Sequence, residues 1–265
     1  MMRPCLTFRL HLLFIGCVSF ALNSAHAELP DVIYVSADDL NKAGEITLGL
    51  HVNSTPHGAY AVPSYSGEVV TDHHVRFTPE LYYGVRDNLQ LSVSVPTVIS
   101  THSSDTGLAG AHATLTWMYG GRNWRDSHWF GGASTSILST REKYEYGRTL
   151  VDAGLIGGYH TASLLLAANL NATSTVQPGY SHAPDYSLAL KATHLIGNAV
   201  SAGGEYYLTQ GKNDADTVSK TILSHTLFAV FDIDLAKSAF HVGIGRGLNS
   251  RSDRWTLTSS YFIPI

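Results

Sequence analysis

From Glu45 to Ile265 the chain alternates apolar and polar residues in twelve stretches, most of them ten to thirteen residues long. Val75–Pro96 shows the pattern. Val75, Phe77, Leu81, Tyr83 and Val85 fall on one parity, and Arg76, Thr78, Glu80 and Tyr82 on the other. After Arg86-Asp87-Asn88 the alternation resumes, with Leu89, Leu91, Val93 and Val95 set against Gln90, Ser92 and Ser94. A period of two marks a strand with two unlike faces. Length narrows the choice further. Strands in soluble proteins cluster near about 5–6 residues, whereas a tilted strand needs about 9–11 to cross a bilayer.

The twelve expected strands are Glu45–Thr55, His74–Val85, Leu89–Ser100, Gly107–Tyr119, His128–Thr140, Arg148–Tyr159, Leu164–Val176, Asp185–Leu195, Ala199–Gly211, Thr221–Asp234, Ala239–Leu248 and Arg254–Ile265. No stretch reads as a helix, and no composition break divides the chain. The connections alternate in character. "RDN", "HTAS", "IGN" and "DLAKS" are short; the 56–73, 101–106, 141–147, 177–184, 212–220 and 249–253 loops are longer and polar. Outer-membrane barrels have short periplasmic turns and longer outer loops. One connection, "GGRNWRDS", breaks the rule. The expected fold is therefore an all-β, transmembrane, antiparallel up-and-down barrel of about twelve strands, with both ends in the periplasm.

The two faces can be assigned. One carries Ile46, Leu48, Leu50 and Val52; Leu164, Leu166 and Leu170; Tyr186, Leu188 and Leu190; Leu223, Leu227, Phe231 and Ile233. Tyr83, Trp117, Tyr119, Tyr159 and Trp255 near strand ends suit interfacial girdles. The other face carries Glu45, His51, Arg76, Glu80, Gln90, His112, Arg148, Asp152, Asn169, Asn171, Lys191, Glu205, Asp232 and His241. A charge on the lipid face at mid-membrane costs about 2–4 kcal/mol, so the charged face should line the lumen. A three-residue turn at Arg86–Asn88 would pair Val85 with Leu89. The Ile196–Asn198 turn would set Lys191 diagonal to Glu205, and the His160–Ser163 turn would set Asp152 opposite Asn171. The stretch 128–160 alternates poorly, and its facing stays open. A soluble β-sandwich is the alternative; it would turn the apolar face into its core.

The N-terminus fits export. Arg3 and Arg9 precede the apolar "HLLFIGCVSFAL", and Ala25-His26-Ala27 suits cleavage. Residues 1–27 then form a signal peptide and 28–265 the barrel, with 28–44 an irregular leading segment lacking a clear period. Lipoprotein processing at Cys17 is a rival reading. Both cysteines, Cys5 and Cys17, lie in this segment, leaving no disulfide beyond it. Its loss removes two arginines and no acid, shifting the net charge from −4 to −6, which argues against nucleic-acid binding. The expected location is the bacterial outer membrane. The expected partners are outer-membrane lipid and lipopolysaccharide, the barrel-insertion machinery and a small-molecule solute. The last strand places Trp255, Leu257, Tyr261, Ile263 and Ile265 on one face, as an insertion signal would, although it ends in Ile rather than an aromatic residue.

Tyr83-Gly84, the Asp-containing turn, the closing Val95-Pro96, and later Gly243-Ile244-Gly245, Asp253 and Trp255 resemble motifs of outer-membrane proteins grouped as the "MetA-pathway of phenol degradation" family. The resemblance implies a transporter-like barrel passing small molecules, aromatic or hydrophobic ones among them. It brings no catalytic residues.

His102-Ser103-Ser104 sits in a predicted loop, and His160-Thr161-Ala162-Ser163 at the expected periplasmic end, both poor settings for lipid hydrolysis. His57, His73 and His74 share one loop, but adjacent side chains on a strand point oppositely, so they read as polar filling rather than chelation. "GIGRG" lacks a surrounding βαβ unit and is not a phosphate loop. Gly243, Gly245 and Gly247 share the inward parity and read either as close packing or as a widened passage. No enzyme, metal or cofactor is therefore expected. The expected function is a passive channel lined by His51, Arg76, Glu80, Gln90, His112, Asp152, Asn169, Asn171, Lys191, Glu205, Asp232 and His241, gated by outer loops, above all Pro56–His73. The alternatives are a non-conducting structural or surface-interaction barrel and a barrel lipid hydrolase.

Overall fold

The computed structural model describes residues 33–57, 63–64, 67–68, 74–100, 106–119, 127–141, 148–178, 184–212, 221–250 and 252–265. The proposed signal segment, most of the Pro56–His73 loop and most of "GGRNWRDS" lie outside these.

Twelve walls close into a barrel. They are β1 (Ile46–His57), β2 (His74–Arg86), β3 (Leu89–Ser94, resuming at Thr97–Ser100), β4 (Thr106–Leu108 and Gly110–Tyr119), β5 (His128–Thr140) and β6 (Thr149–His160). Then come β7 (Leu164–Thr175), β8 (Asp185–Leu195), β9 (Val200–Lys212), β10 (Thr221–Leu235), β11 (Ser238–Gly247) and β12 (Trp255–Pro264). Each pairs antiparallel with its neighbour, and β1 pairs with both β2 and β12, so no edge is left open. Among the described residues no helix is long and apolar enough to cross a membrane.

The interruption in β3 has a covalent cause. Between the pairs Phe77↔Thr97 and Glu80↔Ser94 stand Pro79 and Pro96. Neither has an N–H to give to the ladder, and only Val95 N reaches across, to Pro79 O at 3.1 Å.

The apolar parity faces outward. Leu81, Val93, Leu115, Ile137, Leu155, Leu170, Leu190, Leu227, Phe231 and Ile244 are all exposed. Tyr83, Trp117, Tyr119, Trp129 and Tyr159 gather near the short-turn end, where Trp129 and Tyr159 pack at 4.8 Å between ring centroids. The open question at 128–160 is answered: Trp129, Ile137, Val151 and Leu155 point out, while Phe130 and Ile156 are buried within.

Three register expectations change. Arg86, not Val85, pairs with Leu89, and Val85 is an extra residue in a bulge that leaves a two-residue Asp87-Asn88 turn. Tyr83↔Leu91 still keeps both apolar strings on one face. Lys191 lies directly opposite Glu205 rather than diagonally. Asp152 faces Thr173, while Asn171 faces Gly154. In both hairpins the ladder starts at a different residue than the turn length suggests, and one such step moves every later pair.

Candidate functional site: a polar lumen crossed by the N-terminal segment

Residues 33–45 add no strand to the wall. They enter beside Gly84, where Gly44 N donates to Gly84 O at 2.7 Å and Gly84 N donates to Glu45 O at 2.9 Å. A Cβ on Gly84 would run into the Lys42 carbonyl, and Gly44 holds a φ of 82°. Glycine is required here by close approach and by a left-handed turn. Gly84→Val is expected to push this entry aside, making the N-terminal segment a target for limited proteolysis while the barrel still shows a heat-modifiable gel band.

From that pivot the chain crosses the interior. Asn41 N donates to Gln90 Oε1 on β3 at 2.8 Å. Val35, Ala37 and Leu40 pack on Met118, Phe130, Ile156 and Ala167, inward residues of β4 to β7. Ser36 N donates to Asn169 Oδ1 at 2.8 Å, and Asn169 Nδ2 returns a bond to Ser36 O at 3.0 Å. One side-chain amide thus satisfies a backbone unit that has no strand partner. Tyr34 sits edge-on to His241 with its ring 5.1 Å from the Lys191 ammonium. Ile33 reaches Phe228 and Val230 on β10. Burying Ile33 and Val35 fully contributes roughly 1.5–3 kcal/mol each.

Asp38 is held separately. Its Oδ2 lies 2.6 Å from His128 Nε2, and its Oδ1 lies 3.1 Å from His160 Nδ1. Burial alone would raise this carboxyl, but the two imidazoles outweigh it and hold the group below the ordinary carboxylate range.

Two charged networks line the walls. In the first, Lys191 Nζ is 3.1 Å from Glu205 Oε1 and 2.9 Å from Asp232 Oδ2. His241 Nδ1 is 2.7 Å from Asp232 Oδ1, and Tyr207 donates to Glu205 Oε2 at 2.6 Å. In the second, Tyr82 donates to Glu80 Oε2 at 2.8 Å, and His51 Nε2 lies 3.4 Å from the same oxygen. His51 Nδ1 is 2.8 Å from Ser260 Oγ. Serine, imidazole and carboxylate in that order suggest a nucleophile and base, but Ser260 and His51 are each only 1% exposed, out of reach of a lipid ester.

The remaining sequence-derived candidates are dispersed. Arg76 is buried and, with His112, lines the interior toward the long-loop end. Asp152 accepts from Thr173 Oγ1 at 2.7 Å, and Asn171 donates to Ser187 Oγ at 3.4 Å. Tyr34, Asp38, Tyr82, His128, His160 and Tyr207 also take part in these contacts, and none of them is among the lumen-lining residues expected from the sequence. His128 and His160 were traceable, since each ends a strand on the inward parity of one hairpin.

One cavity of about 1410 Å³ follows the interior, with Arg76, Thr140, Asp185 and Thr209 toward the long-loop end and Thr161, Asn198 and Ala236 at the short-turn end. Tyr34 and residues 36–41 form part of its wall. The glycine stripe does not widen it. A Cβ on Gly245 would strike the Phe228 ring, and one on Gly243 would crowd Thr258 and Val230. The stripe makes room for Phe228, which seats Ile33.

No protein-family model matches this chain, and no curated protein matches it. The family resemblance therefore stands on its two motif regions alone. Solved structures do share the fold. A COG4313 outer membrane channel from Pseudomonas putida F1 is similar at a TM-score of 0.65 and 12% identity, covering 88% of this chain and 100% of that one. The KdgM porin is similar at a TM-score of 0.50 and 12% identity, covering 81% and 98%. At these identities the likeness speaks for the barrel itself.

Proposed function

We propose that this protein is an outer-membrane channel for passive passage of small molecules, narrowed from within by its own N-terminal segment. One observation carries the reading: a cavity bordered by residues at both ends of a closed barrel, polar or charged along much of its length, with residues 33–41 across it. The neighbours named above are an outer membrane channel and a porin, in keeping with this role. A cleaved signal at residues 1–27 would deliver the chain to the periplasm for insertion into lipid and lipopolysaccharide. The family resemblance adds aromatic or hydrophobic solutes as the class to try first. The apolar seat made by Met118, Phe130 and Ile156 suits such molecules, because it would offer them a greasy surface wherever the segment lifts.

The N-terminal segment is what narrows the lumen among the described residues; the expected gating by the Pro56–His73 loop falls mostly outside them.

Single-channel recording in planar bilayers tests the proposal. Small, ohmic conductance steps are expected. Glu80→Ala, which removes an anionic side chain from the cavity wall, should lower cation preference measured as reversal potential in a salt gradient. A non-conducting structural barrel would give no steps at all, and unchanged selectivity would exclude Glu80 from the conducting path.

A further inference from the structure

We propose that Asp38, His128 and His160 form a binding site for a zinc-class divalent metal ion, which staples the N-terminal segment to the barrel wall. His128 and His160 are register partners on the inward face of β5 and β6, with ring centroids 5.7 Å apart and tilted by 49°. Their nearest nitrogens and the Asp38 carboxylate all lie within 4.8 Å of one another. Zinc binds imidazole nitrogen and carboxylate oxygen at about 2.0–2.2 Å, which sets tetrahedral ligand atoms about 3.3 Å apart. The observed separations of 2.6 and 3.1 Å from Asp38 both fall short of that figure, so an ion seated among the three atoms would move the carboxylate and the imidazoles slightly apart.

The donor set decides the class of metal. Two imidazoles and one carboxylate suit zinc and its later transition-metal neighbours, whereas calcium and magnesium favour all-oxygen shells. Asp38 and His160 also border the cavity, from which water could supply a fourth ligand. The chain origin of the ligands matters most. Two come from a rigid hairpin and one from the segment that crosses the lumen. A metal bound by all three adds a crosslink between wall and segment that hydrogen bonds alone do not supply. The staple's effect on passage rests on the channel reading; the site itself does not.

The test uses full-length mature protein, folded in detergent, stripped with chelator and titrated with Zn²⁺ at neutral pH by calorimetry. One equivalent is expected to bind tightly. His128→Gln/His160→Gln should abolish it, and Asp38→Asn should weaken it by more than about tenfold, since losing even an outer partner of a ligand costs about that much. A heat-modifiable band confirms that each variant is folded. Because the sequence has no cysteine after Cys17, Val35→Cys gives a second reading: Zn²⁺ should slow its thiol labelling several-fold, chelator should reverse that, and the His128→Gln/His160→Gln background should lose the slowing. Absence of a tight equivalent, its survival in the double histidine variant, or labelling indifferent to Zn²⁺ would each overturn the staple. A protein that binds Zn²⁺ as expected yet shows no conductance would retain the site and lose the channel.

Discussion

Lys191→Met is expected to destabilise the barrel by about 3–5 kcal/mol, the usual cost of removing one partner from a buried ion pair. Lys191 and Glu205 side chains are 2% and 0% exposed, so water cannot replace the lost ammonium. Glu205 would keep only the Tyr207 hydroxyl at 2.6 Å and His241 at 3.9 Å. Asp232, a quarter exposed, would keep His241 and suffer less. Tyr34 would lose the cation facing its ring, loosening the N-terminal segment as well. Urea unfolding in lipid vesicles, followed by tryptophan fluorescence, measures the loss. The double variant Lys191→Met/Glu205→Gln should recover a large part of it, because the penalty lies in the stranded carboxylate rather than in the missing bond. Recovery would separate the electrostatic account from simple loss of packing, which the second substitution would not repair.

Removing the lumenal segment is expected to have the largest effect on passage. A chain starting at Asn41 lacks Ile33, Val35, Ala37 and Leu40, and with them the apolar fill over Met118, Phe130, Ile156 and Phe228. The wall itself has no strand in that segment, so the barrel should still close. Conductance should rise several-fold, and larger solutes should enter liposomes in swelling assays. Stability should fall, because the apolar seats become wet. A milder form, Val35→Asp, places a charge in a fully buried site and should free the segment without shortening the chain. Both variants act on the same contacts, so similar conductance in the two would tie the effect to docking rather than to chain length.

The outer surface of the barrel was legible because lipid imposes a simple rule on it. Outward residues such as Leu81, Val93, Leu155, Leu170 and Leu257 had to be apolar, and their period survives in the sequence. The lumen obeys no such rule. Its lining answers to whatever fills it, and here that is partly another piece of the chain. Alternation fails at 128–160 because Phe130 and Ile156 are apolar on the inward side, where they seat Val35 and Ala37. A blurred strand was thus the trace of an internal partner. The partner left less: Ile33, Val35 and Ala37 are buried between half-buried Tyr34, Ser36 and Asp38, but the run is too short to give residues 28–44 a clear period and forms no ladder. Its side chains meet several different walls, so no spacing rule could pair Asp38 with His128 and His160, or Ser36 with Asn169. Register was legible only to within two residues. The bulge at Val85 and the Asp152–Thr173 pair depend on turn geometry that the loop sequences do not state.

If solutes pass through this barrel along a lumen narrowed by residues 33–41, single-channel recording of the protein beside a chain starting at Asn41 should give small steps from the first and steps several-fold larger from the second, both with the same insertion frequency. Silent bilayers from two folded, heat-modifiable proteins, or equal conductance from both, would contradict it.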